Sequence, residues 1–115
     1  MAKFEREFKG DFDKCINIIE EEVIRRSSSS SLEGKTFYCV DDVKVGVCVF
    51  ERYSMIGSNR VSLNVTLIGK ENDLFISAIS SGGSQAILFK INTFGEEAFL
   101  SELENIIKDY INGQI

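Results

Sequence analysis

The chain has 115 residues, 43% of them hydrophobic, and a net charge of −5 without a single histidine. This length predicts one domain over residues 1–115, because compact domains most often contain roughly 100–150 residues. The missing histidine excludes catalysis by a histidine base and by Ser-His or Cys-His pairs. Carboxylate, lysine or tyrosine chemistry stays open, but we expect a protein that is not an enzyme.

The charged residues and the apolar runs limit the partners. Lysines and arginines are scattered singly, apart from Arg25-Arg26, so no basic stripe could neutralise the phosphates of a nucleic acid. No apolar run approaches the ~18 residues of a membrane-spanning helix, and the start MAKFEREFKG lacks the hydrophobic stretch of a signal peptide. We therefore expect no nucleic acid partner, no membrane association and a cytoplasmic protein.

The cysteines predict neither a disulfide framework nor a zinc site. Cys15, Cys39 and Cys48 are odd in number, and no histidine could complete a set of metal ligands. We expect three buried, reduced thiols, and we expect no metal and no other cofactor.

The first elements are a strand and a helix. Apolar and charged residues alternate from Phe4 to Lys9, which predicts a short half-buried strand that ends at Gly10. Asp11 is the expected N-cap of a helix. Its buried positions follow the spacing of one helical face: Phe12, Cys15, Ile16, Ile19 and Val23.

A run of strands follows the helix. The serines from Ser27 to Ser31 predict a connection into an edge strand, with a disordered linker as the alternative. Two β-rich runs, residues 36–40 and 43–53, surround Asp41-Asp42 and predict a hairpin. Residues 61–68 show the clearest alternation in the chain, and a four-residue turn, 69–72, leads into a strand over residues 74–80. An even turn places Tyr38 and Val40 on the face of the valines at 43, 45, 47 and 49.

The segment Ser81-Gly82-Gly83-Ser84 has three interpretations. It predicts a tight hairpin turn into a last strand, residues 85–91, because glycine adopts positive φ without steric cost. A phosphate-binding loop is the second interpretation, although the glycines do not open a helix. The third is a functional rim in which Ser81, Ser84 and Gln85 offer polar groups. Beyond it, Thr93 and Glu96 have the spacing of a capping box for a long final helix.

The order β-α-β-β-β-β-β-α predicts an α+β fold with an antiparallel sheet and helices packed on one face. The expected strand pairs place Asn64, Thr66 and Ser77 on a sheet face with Phe75 and Ile79. This mixed face is too apolar for open contact with water, so we expect a second copy to cover it in a homodimer. If the helices cover it instead, the three polar residues would line a pocket for a small apolar ligand.

Two stretches carry a resemblance to known proteins. RYSMIGSNRVSLNVTLIG, residues 52–69, and SAISSGGSQAILFKINTFGEEAFL, residues 77–100, resemble a small uncharacterised family of Gram-positive bacteria, a domain of unknown function. The opening MAKFEREFKGDFD is similar to the start of that family. The resemblance implies a bacterial cytosolic protein of one domain and supplies no catalytic residue, cofactor or partner. The order of elements is also similar to a helix-grip fold.

The sequence thus favours a non-enzymatic binding or interaction module that self-associates through the mixed face. The alternative is a carrier of a small apolar ligand, with a pocket between the sheet and the C-terminal helix. An enzyme using Arg52, Tyr53 or Arg60 is a weaker hypothesis. No catalytic or metal-binding residue is predicted, and the candidate ligand-binding residues are Asn64, Thr66, Ser77, Ser81, Ser84 and Gln85.

Overall fold

A computed structural model describes residues 1–27, 29–54, 59–82 and 89–115 of the chain. These residues form five strands and two helices. In chain order they are β1 (Ala2–Lys9), α1 (Phe12–Arg26), β2 (Ser31–Val40), β3 (Val43–Ser54), β4 (Asn59–Lys70), β5 (Asp73–Gly82) and α2 (Phe89–Ile111).

The strands make one antiparallel sheet in the order β1-β5-β4-β3-β2. Strands β2 to β5 are a meander, whereas β1 comes from the start of the chain and lies beside β5. Both helices contribute to a core on one side of the sheet, which we call the inner face. The predicted α+β class, with an antiparallel sheet and helices on one face, is confirmed.

The last predicted strand is wrong where the structure describes it. Phe89 to Ile91 belong to α2, and residues 83–88 lie outside the described residues. Ser80 of β5 has Ala2 on one side and Leu63 on the other. A strand has only two edges, so β1 occupies the edge on which the sixth strand was expected.

The glycine turn needs a related correction. Gly82 is the last residue of β5, opposite Val61, and the rest of the predicted turn, from Gly83 on, lies outside the described residues. Its backbone nitrogen donates to Oε1 of Glu96 at 2.8 Å. The capping box is wrong as well, because Thr93 lies inside α2, four residues after its start. The Glu96 side chain therefore links α2 to the end of β5.

The other turns preserve the predicted faces. The turn after β4 contains two residues, Glu71 and Asn72, where the sequence predicted four. Both numbers are even, and a change between even lengths leaves every side chain on its predicted face. Thr66 accordingly lies opposite Ser77, and Tyr38 lies opposite Val45 as expected.

Helix α1 begins as the sequence predicts. The Asp11 carboxylate accepts a hydrogen bond from the backbone nitrogen of Lys14 at 2.9 Å, which satisfies one free amide of the first turn. The five apolar residues of its predicted face are all buried. At its other end, the Arg26 guanidinium binds Glu22 at 2.9 Å and Asp109 of α2 at 2.8 Å. The two helices are thus joined by an ion pair as well as by the core.

The space between the sheet and α2 is filled by side chains. Helix α2 buries Phe99, Leu103, Ile106 and Ile107. Arg52 stacks its guanidinium over the Phe99 ring, 4.4 Å from the ring centroid, and pairs with Glu102. The main buried residues of the sheet are Cys48, Phe50, Val61, Leu63, Val65, Leu67, Leu74, Ile76 and Ala78.

One position in this core has no room for a side chain. A Cβ atom on Gly69 would lie 2.9 Å from Cδ2 of Leu74 and 3.0 Å from Cδ2 of Phe12. Both neighbours are buried core residues that hold α1 against the sheet. The close approach of α1 to β4 therefore depends on a glycine at this position.

We expect Gly69→Ala to lower the free energy of unfolding by about 1–3 kcal/mol, the usual cost of overpacking a core. Gly34→Ala is the matched control, because no atom lies within 4 Å of its would-be Cβ. The control should be neutral or raise the stability by up to about 1 kcal/mol. Urea unfolding of both variants measures the difference, and equal effects would contradict the packing described here.

Candidate functional site

The described elements leave open the sheet face opposite the helices. We call it the outer face. It takes alternate residues of every strand, since successive side chains of a strand point to opposite sides. Its members from β2 to β5 are Thr36, Tyr38, Val40, Val43, Val45, Val47, Val49, Glu51, Ser62, Asn64, Thr66, Ile68, Phe75, Ser77, Ile79 and Ser81.

Apolar side chains dominate the part of the outer face formed by β2 and β3. The four valines of β3 are half-buried by their neighbours in the sheet. Beside them, Tyr38 and Val40 on β2 expose 67% and 52% of their surface. On the other side of the centre, Ile79 is 38% exposed and Phe75 is half-buried. The predicted mixture of apolar and polar groups on this face is present.

Polar side chains occupy its centre. Thr66 lies directly opposite Ser77, whose hydroxyl donates to Oε2 of Glu5 at 3.0 Å. The hydroxyl oxygens of Ser62 and Ser81 are 2.8 Å apart. These hydroxyls therefore hydrogen-bond across strands.

The structure brings four of the six predicted site residues to one surface. Asn64, Thr66, Ser77 and Ser81 are on the outer face, and Asn64 is exposed on the central strand β4. Ser84 and Gln85 lie outside the described residues, together with the phosphate-loop interpretation of the segment around Gly83. The four residues point away from the helices, so they do not line the space between the sheet and α2.

A shallow groove of about 750 Å³ lies at one end of the outer face, beside the turn between β4 and β5. Ile68 and Phe75 form its apolar floor, and Glu7 and Lys70 contribute to its walls. Lys9 and Asp73, also in its lining, form an ion pair, and the hydrogen bond to Asp73 raises the pKa of Lys9. The groove opens to solvent and its charged groups are exposed, so it offers contact area more than catalytic chemistry.

The cysteines divide into two classes. Cys15 and Cys48 are buried, as expected, but Cys39 is exposed because it lies on the edge strand β2. Burial, followed by the nearby Asp11, raises the pKa of Cys15 to about 12. Burial, followed by Glu20, raises the pKa of Cys48 to about 11. Neither buried thiol is a nucleophile near neutral pH.

The sequence interpretation placed an edge strand after the serines, which β2 is, but missed that part of this edge lacks charged side chains. A signal was present, because residues 36–40 contain no charged side chain whereas β1 contains five in eight residues. Metal sites give no comparable signal, since the described ranges contain no group of three or more Cys, Asp or Glu residues placed to hold an ion.

Fold and surface together define a class of protein, a two-helix α+β protein with one antiparallel sheet. The described elements cover the inner face of this sheet and leave its outer face open. The model of a family of unknown function, DUF6054, matches residues 1–111. The chain belongs to this family. A search of curated proteins and a search of solved structures each gave no significant match.

The helices were also tested as membrane spans. Neither α1 nor α2, within the part of the chain that the structure describes, combines the length and the apolar character needed to cross a bilayer.

We expect one fast and two slow thiols when dilute native protein reacts with iodoacetamide at pH 8. Cys39 should react fast, and the raised pKa values should slow Cys48 by roughly 100-fold and Cys15 by roughly 1,000-fold, since only the thiolate attacks. Mass spectrometry of the labelled protein counts the adducts with time. Cys39→Ser should abolish the fast adduct, and denaturant should make the remaining thiols react at ordinary rates. Fast labelling of two thiols in the native protein would contradict the burial described.

Proposed function

We propose that this protein is a non-enzymatic interaction module of the cytoplasm of a Gram-positive bacterium, and that it self-associates through the outer face. One observation carries the proposal. The described elements pack two helices against the inner face and leave the outer face, with its exposed apolar residues, without a cover. The resemblance of the sequence and the three free thiols support the cellular location.

The composition of the outer face supports a protein partner. Monomers seldom expose contiguous apolar patches beyond a few hundred Å², and larger ones mark interaction sites. Here the valines of β3 continue onto β2 through Tyr38 and Val40, so the apolar side chains form one patch. A second sheet face is a suitable cover, because two sheets pack face to face at about 10 Å with interdigitating side chains.

The size of the face also fits a second copy. The sheet has five strands, and at about 4.8 Å between strands and about 3.3 Å per residue, eight residues of each make roughly 600 Å² in plane. Two such faces remove roughly 1,200 Å² from water, the lower end of the range for stable interfaces. Self-association of this kind is specific but moderate in strength.

The polar centre fits two-fold symmetry. Asn64 lies on the central strand, and in a two-fold contact a central residue approaches its own copy. A carboxamide has both donors and an acceptor, so two Asn64 side chains can pair with each other. The charged residues of β1 would remain at the wet rim, where interfaces tolerate charge.

A carrier of a small apolar ligand is the second candidate. A pocket between the sheet and α2 has little support, because Leu103, Ile106 and Ile107 are fully buried and fill that space. The observation that favours a ligand is the groove on the outer face, whose floor is Ile68 and Phe75. Such a ligand would bind at the surface that we assign to the second copy.

We expect Asn64→Lys to weaken self-association at least about tenfold, because it places like charges opposite each other across the two-fold axis. Asn105→Lys is the matched control: it makes the same substitution at an exposed position of α2. Both side chains are exposed, so neither change should alter the folded state. Sedimentation equilibrium measures the dissociation constants, and native mass spectrometry reports the number of subunits.

Equal dissociation constants for the two variants would contradict an interface on the outer face. A monomeric protein that retains a small apolar molecule in native mass spectrometry would favour the carrier.

A further inference from the structure

Strand β2 presents a free edge ten residues long. Its one neighbour in the sheet is β3, and no other strand among the described residues pairs with it. An edge strand directs backbone N–H and C=O groups outward, which makes it a template for another strand. Proteins commonly protect such edges with charged side chains, bulges or short strands.

The two edges of this sheet differ in that protection. The opposite edge strand, β1, carries Lys3, Glu5, Arg6, Glu7 and Lys9 in eight residues. In β2, Glu33 and Lys35 are the charged residues, and both precede Thr36. A register shift between Leu32 and Gly34 also interrupts this first part of the strand. The part from Thr36 to Val40 has neither charged side chains nor a register shift.

The side chains of this unprotected part are apolar on both faces. Tyr38 and Val40 point to the outer face, and Phe37 and Cys39 point to the inner face. Phe37 lies against the backbone of Gly46 at the border of α1, yet half of its surface is exposed. A strand placed beside β2 would cover apolar groups above and below the sheet.

We propose that β2 pairs antiparallel with β2 of a second copy, about a two-fold axis perpendicular to the sheet. This arrangement joins the two sheets into one continuous sheet with all four helices on the same face. A second copy fits because two identical strands can pair antiparallel, and each then satisfies the outward backbone N–H and C=O groups of the other. The axis lies within Thr36–Tyr38, because this part of β2 follows the register shift between Leu32 and Gly34 and contains no charged residue.

This contact is distinct from the proposed function and uses a different surface. An axis perpendicular to the sheet leaves both outer faces on the same side, where they form one larger surface. Two such pairs can then stack through their outer faces, which gives a tetramer with three mutually perpendicular two-fold axes. The two interfaces can therefore be removed separately.

Cys39→Glu tests the edge without touching the outer face, since Cys39 is exposed and points to the inner side. Arg6→Gln on β1 is the matched control, with the same change of charge on the opposite edge at an exposed position. Native mass spectrometry should find a tetramer for the wild type and for the control, and a dimer for Cys39→Glu. The double variant Asn64→Lys/Cys39→Glu should be a monomer.

The outcomes separate the two proposals. An assembly reduced by Asn64→Lys but unchanged by Cys39→Glu would overturn the edge contact and leave the proposed function standing. The reverse result would support the edge contact and overturn the proposed function. A monomeric wild type would overturn both.

Hydrogen exchange provides a second measurement that does not depend on the folding of a variant. The amides of residues 36–40 in the wild-type protein should become at least tenfold more protected as the concentration rises, whereas those of β1 should not change. Protection that is independent of concentration on both edges would also overturn the edge contact.

Discussion

The pairing of β1 with β5 is the constraint on which the other features of this protein depend. It occupies the edge of β5 that a continuing meander would need. By Phe89 the chain is helical, and α2 packs on the inner face. The hydrogen bond from the Gly82 amide to the Glu96 side chain attaches α2 to the end of β5, the strand that precedes it in the chain.

This constraint separates the two faces of the sheet. The inner face receives both helices, and the pair of Arg26 with Asp109 and the stack of Arg52 on Phe99 hold them there. The outer face receives no described element, although its valines are as suited to burial as many core residues. Among the described elements, the inner face thus has a complete layer packed against it and the outer face has none.

The sequence predicted the parts of this structure that local periodicity controls. The burial of α1, its Asp11 cap and the pairing of Tyr38 with Val45 follow from helical spacing, capping chemistry and the parity of a turn. The predicted last strand was wrong at residues 89–91, because short apolar runs fit a strand or a helix equally well. What decided between them was the long-range contact of Ala2 with Ser80, which no local pattern contains. The site residues Asn64, Thr66 and Ser77 were placed on the correct face, because the face of each residue depends only on whether the turn has an even or an odd number of residues.

The register shift between Leu32 and Gly34 has a consequence for folding inside a crowded cell. A bulge twists its strand and breaks the regular ladder, so a passing extended chain can pair with the unprotected part of β2 over only a few residues. The register shift therefore confines regular pairing along this edge to the residues from Gly34 to Val40, which favours a short partner strand over a long one.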